Sequence, residues 1–195
     1  MVRLKLSDED HALAVAALIE RTPVFLEAPF RCNGLDVARQ LYLDYDATAR
    51  LSEEELAECL ANYRKRPMPH LPGRWARPLR APHHTAHTDT IVRTHATPQE
   101  VPTEWALATH GVLILDEIGE FRRSALEALS IQLRRAQPGP SVIMIHTRCS
   151  CGKSTCVCPS ERQAYWHGRV ASLYALSLVL QLEVVTEEAA ATRSR

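Results

Sequence analysis

Residues 111–117 read Gly-Val-Leu-Ile-Leu-Asp-Glu, so four consecutive apolar residues run directly into two acids. A short apolar run of this length predicts a buried β-strand with Asp116 and Glu117 at its carboxyl end. The pattern fits a Walker B motif, in which the first carboxylate helps to hold Mg²⁺ and the second polarises the attacking water. It also fits a buried strand that simply ends in surface acids.

Helices and strands alternate on both sides of this strand. In chain order, the predicted elements are a helix capped by Ser7, a strand over residues 23–27, a helix over 36–41, a helix that begins with a capping box at 52–55, a helix over 122–135 and a strand over 142–145. Residues 66–82 contain five prolines and a glycine, so we expect irregular structure there. The alternation predicts an α/β fold with a mostly parallel sheet flanked by helices.

The composition suits one folded domain. The chain has 195 residues, of which 46% are apolar, and its 23 basic residues balance its 23 acidic ones. Nucleic acid is therefore an unlikely partner, because proteins that bind it usually carry a basic excess. No apolar run reaches the roughly 18–20 residues that cross a bilayer, and the acidic N-terminus does not resemble a signal peptide. We expect a cytoplasmic protein with one domain over residues 1–185 and a disordered tail over 186–195.

Three stretches together resemble one known family. Residues 77–86 read Arg-Pro-Leu-Arg-Ala-Pro-His-His-Thr-Ala, residues 103–121 contain the apolar and acidic motif, and residues 149–152 read Cys-Ser-Cys-Gly. In this combination the chain resembles the magnesium-chelatase-like AAA+ ATPases, which include the ATPase subunit of magnesium chelatase and a chelatase-like helicase associated with natural transformation. The resemblance covers nearly the whole chain. It implies a P-loop NTPase-like fold that binds ATP and Mg²⁺, with Asp116 and Glu117 as the catalytic Walker B acids.

The segment that aligns with the family's phosphate-binding loop departs from its pattern. That pattern needs two glycines for close approach of backbone N–H groups, a lysine for the phosphate charge and a hydroxyl for Mg²⁺. All four are replaced, and the degenerate loop consists of Ala28, Pro29, Arg31, Asn33, Gly34 and Leu35. Arg31 is a nearby cation, but its guanidinium is not placed as the lysine would be. We predict that tight ATP binding in the family manner is lost.

Further family features are missing. Thr147 stands where the family has its sensor asparagine, and Leu176 and Ser177 stand where it has the aspartate and arginine of the arginine-finger motif. An arginine finger contributes about 10³–10⁵ in rate. The stretch over residues 134–142 is too short for the family's β-hairpin, and we expect the C-terminal helical lid to be absent. Together these losses predict a pseudo-ATPase.

The cysteine-rich insertion over residues 149–158 contains two Cys-x-Cys pairs. Four thiolates, from Cys149, Cys151, Cys156 and Cys158, are enough for a closed structural Zn²⁺ site. The alternatives are four idle thiols and, less favoured, an iron–sulfur cluster. The histidines of the 77–86 string, His83 and His84, could suggest a metal, but we expect them to serve packing and backbone hydrogen bonding.

Three functions remain open at this point. The first is a magnesium-chelatase-like pseudo-ATPase that acts as a binding or regulatory subunit, with an active AAA+ paralogue or another protein as the expected partner. The second is an active Mg²⁺-dependent ATPase that binds phosphate unconventionally through Gly34 and Arg31. The third is a zinc-stabilised interaction module without nucleotide.

Overall fold

A computed structural model describes residues 3–29, 33–48, 50–64, 76–93, 101–135, 139–147 and 158–185. The helices are α1 (Asp8–Ile19), α2 (Leu35–Thr48), α3 (Glu53–Arg64), α4 (Thr88–Ile91), α5 (Glu104–Leu107), α6 (Arg123–Leu133) and α7 (Ser160–Tyr174). The strands are β1 (Arg3–Lys5), β2 (Val24–Ala28), β3 (Leu79–Arg80), β4 (Val112–Leu115), β5 (Ser141–Thr147), β6 (Leu178–Gln181) and β7 (Glu183–Val185). A 3₁₀ turn spans Ile118–Glu120.

The central sheet has five parallel strands in the order β3-β4-β5-β2-β6, which confirms the predicted α/β class. β5 lies between β2 and β4, although it follows both of them in the chain. Ala28 at the end of β2 pairs with Thr147 at the end of β5, and Leu115 at the end of β4 pairs with Met144. The loops that follow these three strands therefore meet at one edge of the sheet, where open α/β sheets bind their ligands.

Helices cover both faces of the sheet, as the apolar strands require. Strand side chains alternate between faces, so Leu26 and Ile143 pack with α1 and α2, whereas Phe25 and Met144 pack with α6 and α7. All four side chains are fully buried. The sheet is thus the middle layer of a three-layer domain.

Two helix starts behave as the sequence predicts. The Ser7 side chain accepts a hydrogen bond from the N–H of Asp10 at 3.1 Å. At α3 the Ser52 N–H donates to the Glu55 carboxylate at 2.9 Å and the Glu55 N–H donates to the Ser52 hydroxyl at 3.1 Å, which completes a reciprocal capping box. No helix among the described residues has both the length and the apolarity to cross a bilayer.

Irregular structure was expected over residues 66–82, of which 66–75 lie outside the described residues. The expectation is wrong at Leu79–Arg80, which forms the edge strand β3 beside β4. Only two residues pair, so no periodic pattern could reveal the strand. The 15-residue helix α7 and the antiparallel ribbon of β1 with β7 are also absent from the predicted elements. Pro159 precedes α7 without a side-chain cap, so the helix lacks a start signal.

Candidate functional site

The ends of β2, β4 and β5 bring the two predicted motifs to the same edge of the sheet. Asp116 and Glu117 follow β4 directly, and the degenerate loop follows β2. Thr147, which replaces the sensor asparagine, ends β5 between them. These residues remain predicted site residues, and the structure shows only that their described members lie at one edge of the sheet.

Asp116 and Glu117 form a tight local turn. The N–H of Glu117 donates to Asp116 Oδ1 at 2.9 Å, and Glu117 adopts φ 52° and ψ 48°, the left-handed conformation that costs energy in any residue with a Cβ. Burial raises the pKa of Asp116, and the neighbouring Glu117 carboxylate raises it further, against the opposing effect of the hydrogen bond from Glu117. The Asp116 carboxylate thus accepts a hydrogen bond within the turn, and its ionised form is disfavoured by burial.

The second acid is engaged by a histidine of the 77–86 string. His84 Nδ1 lies 3.0 Å from Glu117 Oε2, and the His84 ring stacks against that of His83 with centroids 4.0 Å apart. His83 Nδ1 accepts the N–H of Thr85 at 3.3 Å. Packing and backbone hydrogen bonding were the expected roles for both histidines, but the pairing of His84 with Glu117 was not visible in the sequence.

A network of hydrogen bonds fixes the start of the 77–86 string against β4. Arg77 donates to the carbonyl of His110 at 2.8 Å, and the carbonyl of Arg77 accepts from the Tyr42 hydroxyl at 2.7 Å. The carbonyl of Pro78 accepts the N–H of Val112 at 2.8 Å. A Cβ at Gly111 would lie 1.9 Å from that carbonyl oxygen, so only glycine fits there. The string therefore holds the strand that carries the acids.

At the start of α2, a side chain of the chain itself accepts a backbone N–H that would face the phosphate in a phosphate-binding loop. The side-chain oxygen of Asn33 accepts the N–H of Leu35 at 3.1 Å, and the Asn33 amide donates to the carboxylate of Asp36 at 3.2 Å. In a phosphate-binding loop these first N–H groups point at the phosphate and the helix dipole attracts it. Here the N–H of Leu35 already has a hydrogen-bond acceptor, and the carboxylate of Asp36 in the first turn offsets the positive end of the helix dipole. An Asn-x-x-Asp sequence ahead of a helix is a recognisable capping signal, which the sequence reading did not use.

Gly34, which the resemblance aligns with the family lysine, cannot gain a Cβ unless its neighbours shift. A Cβ added there would lie 2.8 Å from a γ-methyl of Ile145 and 3.4 Å from Leu182. Leu35, at the position of the Mg²⁺-binding hydroxyl, packs against the core between the sheet and α2. The described residues therefore do not fit a Mg²⁺–nucleotide held in the manner of a phosphate-binding loop.

Several predicted site residues lie outside the described ranges. They include Arg31 of the loop and Cys149, Cys151 and Cys156 of the insertion. Cys158 is described and is half-buried ahead of α7. Among the described residues, no three metal-ligating side chains converge on one point. The zinc site stays a prediction.

The parallel sheet and the acids at its carboxyl edge define a P-loop nucleotide-hydrolase-like domain of the AAA+ class. The crystal structure of NtrX from Brucella abortus in complex with ADP superposes with a TM-score of 0.51 and covers 89% of this chain and 34% of NtrX. The two sequences are 13% identical, so this likeness supports the fold alone.

The family follows from sequence comparison. The model of the family "Magnesium chelatase, subunit ChlI" matches residues 46–191, about three quarters of the chain. The chain therefore belongs to the magnesium chelatase ChlI family. Competence protein ComM of Haemophilus influenzae is 51% identical over 53 residues, 27% of this chain and 10% of that protein. YifB of Salmonella typhimurium is 43% identical over 65 residues, 33% of this chain and 12% of that protein. The aligned parts thus span about a tenth of these curated relatives.

Proposed function

We propose that this chain is a ChlI-family member that has lost ATP hydrolysis and acts as a binding or regulatory subunit. The observation that carries the proposal is the start of α2, where Asn33 satisfies the N–H of Leu35 and Asp36 places a carboxylate in the first turn. An active AAA+ paralogue is the partner that fits such a role, and the cytoplasm is its expected location.

The free energy of the missing phosphate contacts supports loss of ATP binding rather than a small decrease in affinity. Removing one charge-assisted phosphate contact from a partly buried site costs on the order of 2–5 kcal/mol. At this site the lysine and the Mg²⁺-binding hydroxyl are both absent, and the helix start faces a carboxylate. Because a factor of ten in affinity corresponds to about 1.4 kcal/mol, two such losses remove several orders of magnitude.

The Walker B acids favour a second candidate, an active ATPase with an unconventional loop. Asp116 and Glu117 are retained at the carboxyl edge of the sheet, where a hydrolase needs them. In that case Gly34 and Arg31 would bind the phosphates, and Arg31→Ala would abolish turnover.

Phosphate release from ATP in the presence of Mg²⁺ separates the two candidates. We expect the wild-type chain and the Glu117→Gln variant to release phosphate at the same background rate, because no catalytic step depends on this carboxylate. Turnover by the wild type that is lost in both Glu117→Gln and Arg31→Ala would establish the active ATPase and overturn the proposal. Circular dichroism of each variant controls for folding.

A further inference from the structure

One buried side chain of the central sheet has a polar atom that the fold does not use. His146, on β5, is 1% exposed, and its Nε2 has no hydrogen-bond partner among the described residues. Buried polar atoms without a partner are costly and therefore rare in folded proteins. Imidazole nitrogens are also the commonest metal ligands in proteins. The unpaired Nε2 therefore points to a ligand that is not part of the polypeptide.

A second histidine, His167 on α7, lies next to the buried one. Strand side chains alternate between faces, so His146 projects toward the face covered by α6 and α7, opposite to Ile145. Its Nε2 lies at the far end of the ring and is therefore directed at that helix layer. The two rings lie 6.1 Å apart between centroids, and their planes are inclined by 64°. His167 is exposed, so solutes reach the pair from its side.

The separation of the two rings suits a shared metal ion. Because a Zn–N bond is about 2.0–2.1 Å long, two imidazoles on one zinc ion have ring centres about 5–6.5 Å apart, depending on the angle at the metal. The observed 6.1 Å lies within this range. The backbone of β5 and α7 is thus already at the spacing that such a site needs, and only the rotation of the exposed ring has to adjust.

The surroundings of the pair on the buried side are apolar. The ring of Phe25 lies 5.7 Å from that of His146, and the ring of Tyr174 lies 5.2 Å from that of Phe25. Phe25 is fully buried. An apolar shell of this kind limits the access of solvent to a bound metal and strengthens the bonds to its ligands.

The same pair lies where α7 lacks other attachment to the sheet. Pro159 provides no side-chain cap, and every side chain described over residues 160–167 is exposed. The buried side chains described on α7 are Val170 and Leu173, which both follow His167. A metal held at His167 would therefore attach the part of the helix that packing does not secure.

We propose that His146 and His167 bind one zinc ion, which links α7 to β5. Imidazole is a preferred ligand of this metal. Among the described residues no third metal-ligating side chain joins the pair, so water molecules complete the coordination. The site uses none of the cysteines of the 149–158 insertion, and it is independent of whether the chain binds nucleotide.

Titration of the chelator-treated full chain with Zn²⁺ by calorimetry tests this site. His167→Gln changes an exposed side chain, so the fold should remain intact, and the variant should bind one equivalent of Zn²⁺ fewer than the wild type or bind it at least about tenfold more weakly. Any zinc at the cysteines contributes equally to both proteins and cancels in the comparison. His87→Gln, at another exposed histidine, is the matched control and should bind like the wild type.

Urea unfolding with and without Zn²⁺ tests the link to α7. Zinc should raise the unfolding midpoint of the wild type more than that of His167→Gln, because the ion binds the folded chain. His146→Leu should lose the same equivalent of zinc, and if this variant does not fold, His167→Gln decides alone. Equal zinc stoichiometry and affinity in the wild type and His167→Gln would overturn the proposal, as would an equal rise of the midpoint in the two proteins or an equal loss of zinc in His87→Gln.

Discussion

Asn33 and Gly34 illustrate how single residues determine what the edge of the sheet can bind. The side chain of Asn33 accepts the N–H of Leu35, and a Cβ at Gly34 would lie 2.8 Å from Ile145 and 3.4 Å from Leu182. The replacements were visible in the sequence. Their consequences were not, because neither the hydrogen bond of Asn33 nor the distance to Ile145 follows from residue type.

His146, a buried residue of β5, should make stability depend on pH. Burial, and to a lesser extent the nearby His167, lower its pKa from 6.5 to about 4. Its ring lies between those of Phe25 and His167, at centroid distances of 5.7 and 6.1 Å. Below pH 6.5 the histidine is protonated in the unfolded chain, whereas in the folded chain it is protonated only below about pH 4. Stability should fall by about 3 kcal/mol as pH drops through this window.

Urea unfolding of His146→Leu between those pH values checks the prediction. The variant should lose most of the slope, because leucine does not titrate. His87→Gln, at an exposed histidine, should retain the wild-type slope. An unchanged slope in His146→Leu would rule out this residue as the cause.

Two glycines should respond in opposite directions to the same substitution. Gly111→Ala brings a Cβ to 1.9 Å from the carbonyl oxygen of Pro78, so it must displace either β4 or the 77–86 string. We expect a loss of about 2–4 kcal/mol in the free energy of unfolding. Gly168→Ala, in the interior of α7 where an added Cβ meets nothing within 4 Å, should instead gain up to about 1 kcal/mol in the free energy of unfolding. Chemical denaturation measures both, and a neutral Gly111→Ala would contradict the described contact.

At the scale of elements, sequence signals were reliable where caps and apolar runs coincide. The Ser52 capping box and the strands β2, β4 and β5 lie where the sequence predicts them. α7 was missed because Pro159 provides no cap and, of the side chains described on that helix, only Val170 and Leu173 are buried. Helices of this kind form through tertiary packing, which a local pattern does not record.

The capping box of α3 supports a prediction at this scale. Ser52→Ala removes the hydroxyl that accepts the N–H of Glu55, so the free energy of unfolding should fall by about 1 kcal/mol.

The hydrogen bond from the Ser52 N–H lowers the pKa of Glu55. Its contribution is present above the ordinary pKa of a glutamate and is lost as pH falls through the lowered value. Glu55→Gln should therefore flatten the acid limb of the stability curve, and equal acid sensitivity in the variant would contradict the box.

At the scale of the whole molecule, the domain has the AAA+ layout, a mostly parallel sheet flanked by helices. The strand order places the end of β2, Thr147 at the end of β5, and Asp116 and Glu117 after β4 at one edge of the sheet. Two hydrophobic cores, one on each face, stabilise the sheet. A shared fold does not by itself fix the activity, which the proposed loss of hydrolysis would illustrate.

Calorimetric titration of the full chain with ATP, with and without Mg²⁺, tests the central claim most directly. We predict no saturable heat at millimolar nucleotide, because the start of α2 is capped by Asn33 and carries the Asp36 carboxylate. Saturable binding with a micromolar Kd that requires Mg²⁺ would contradict this account.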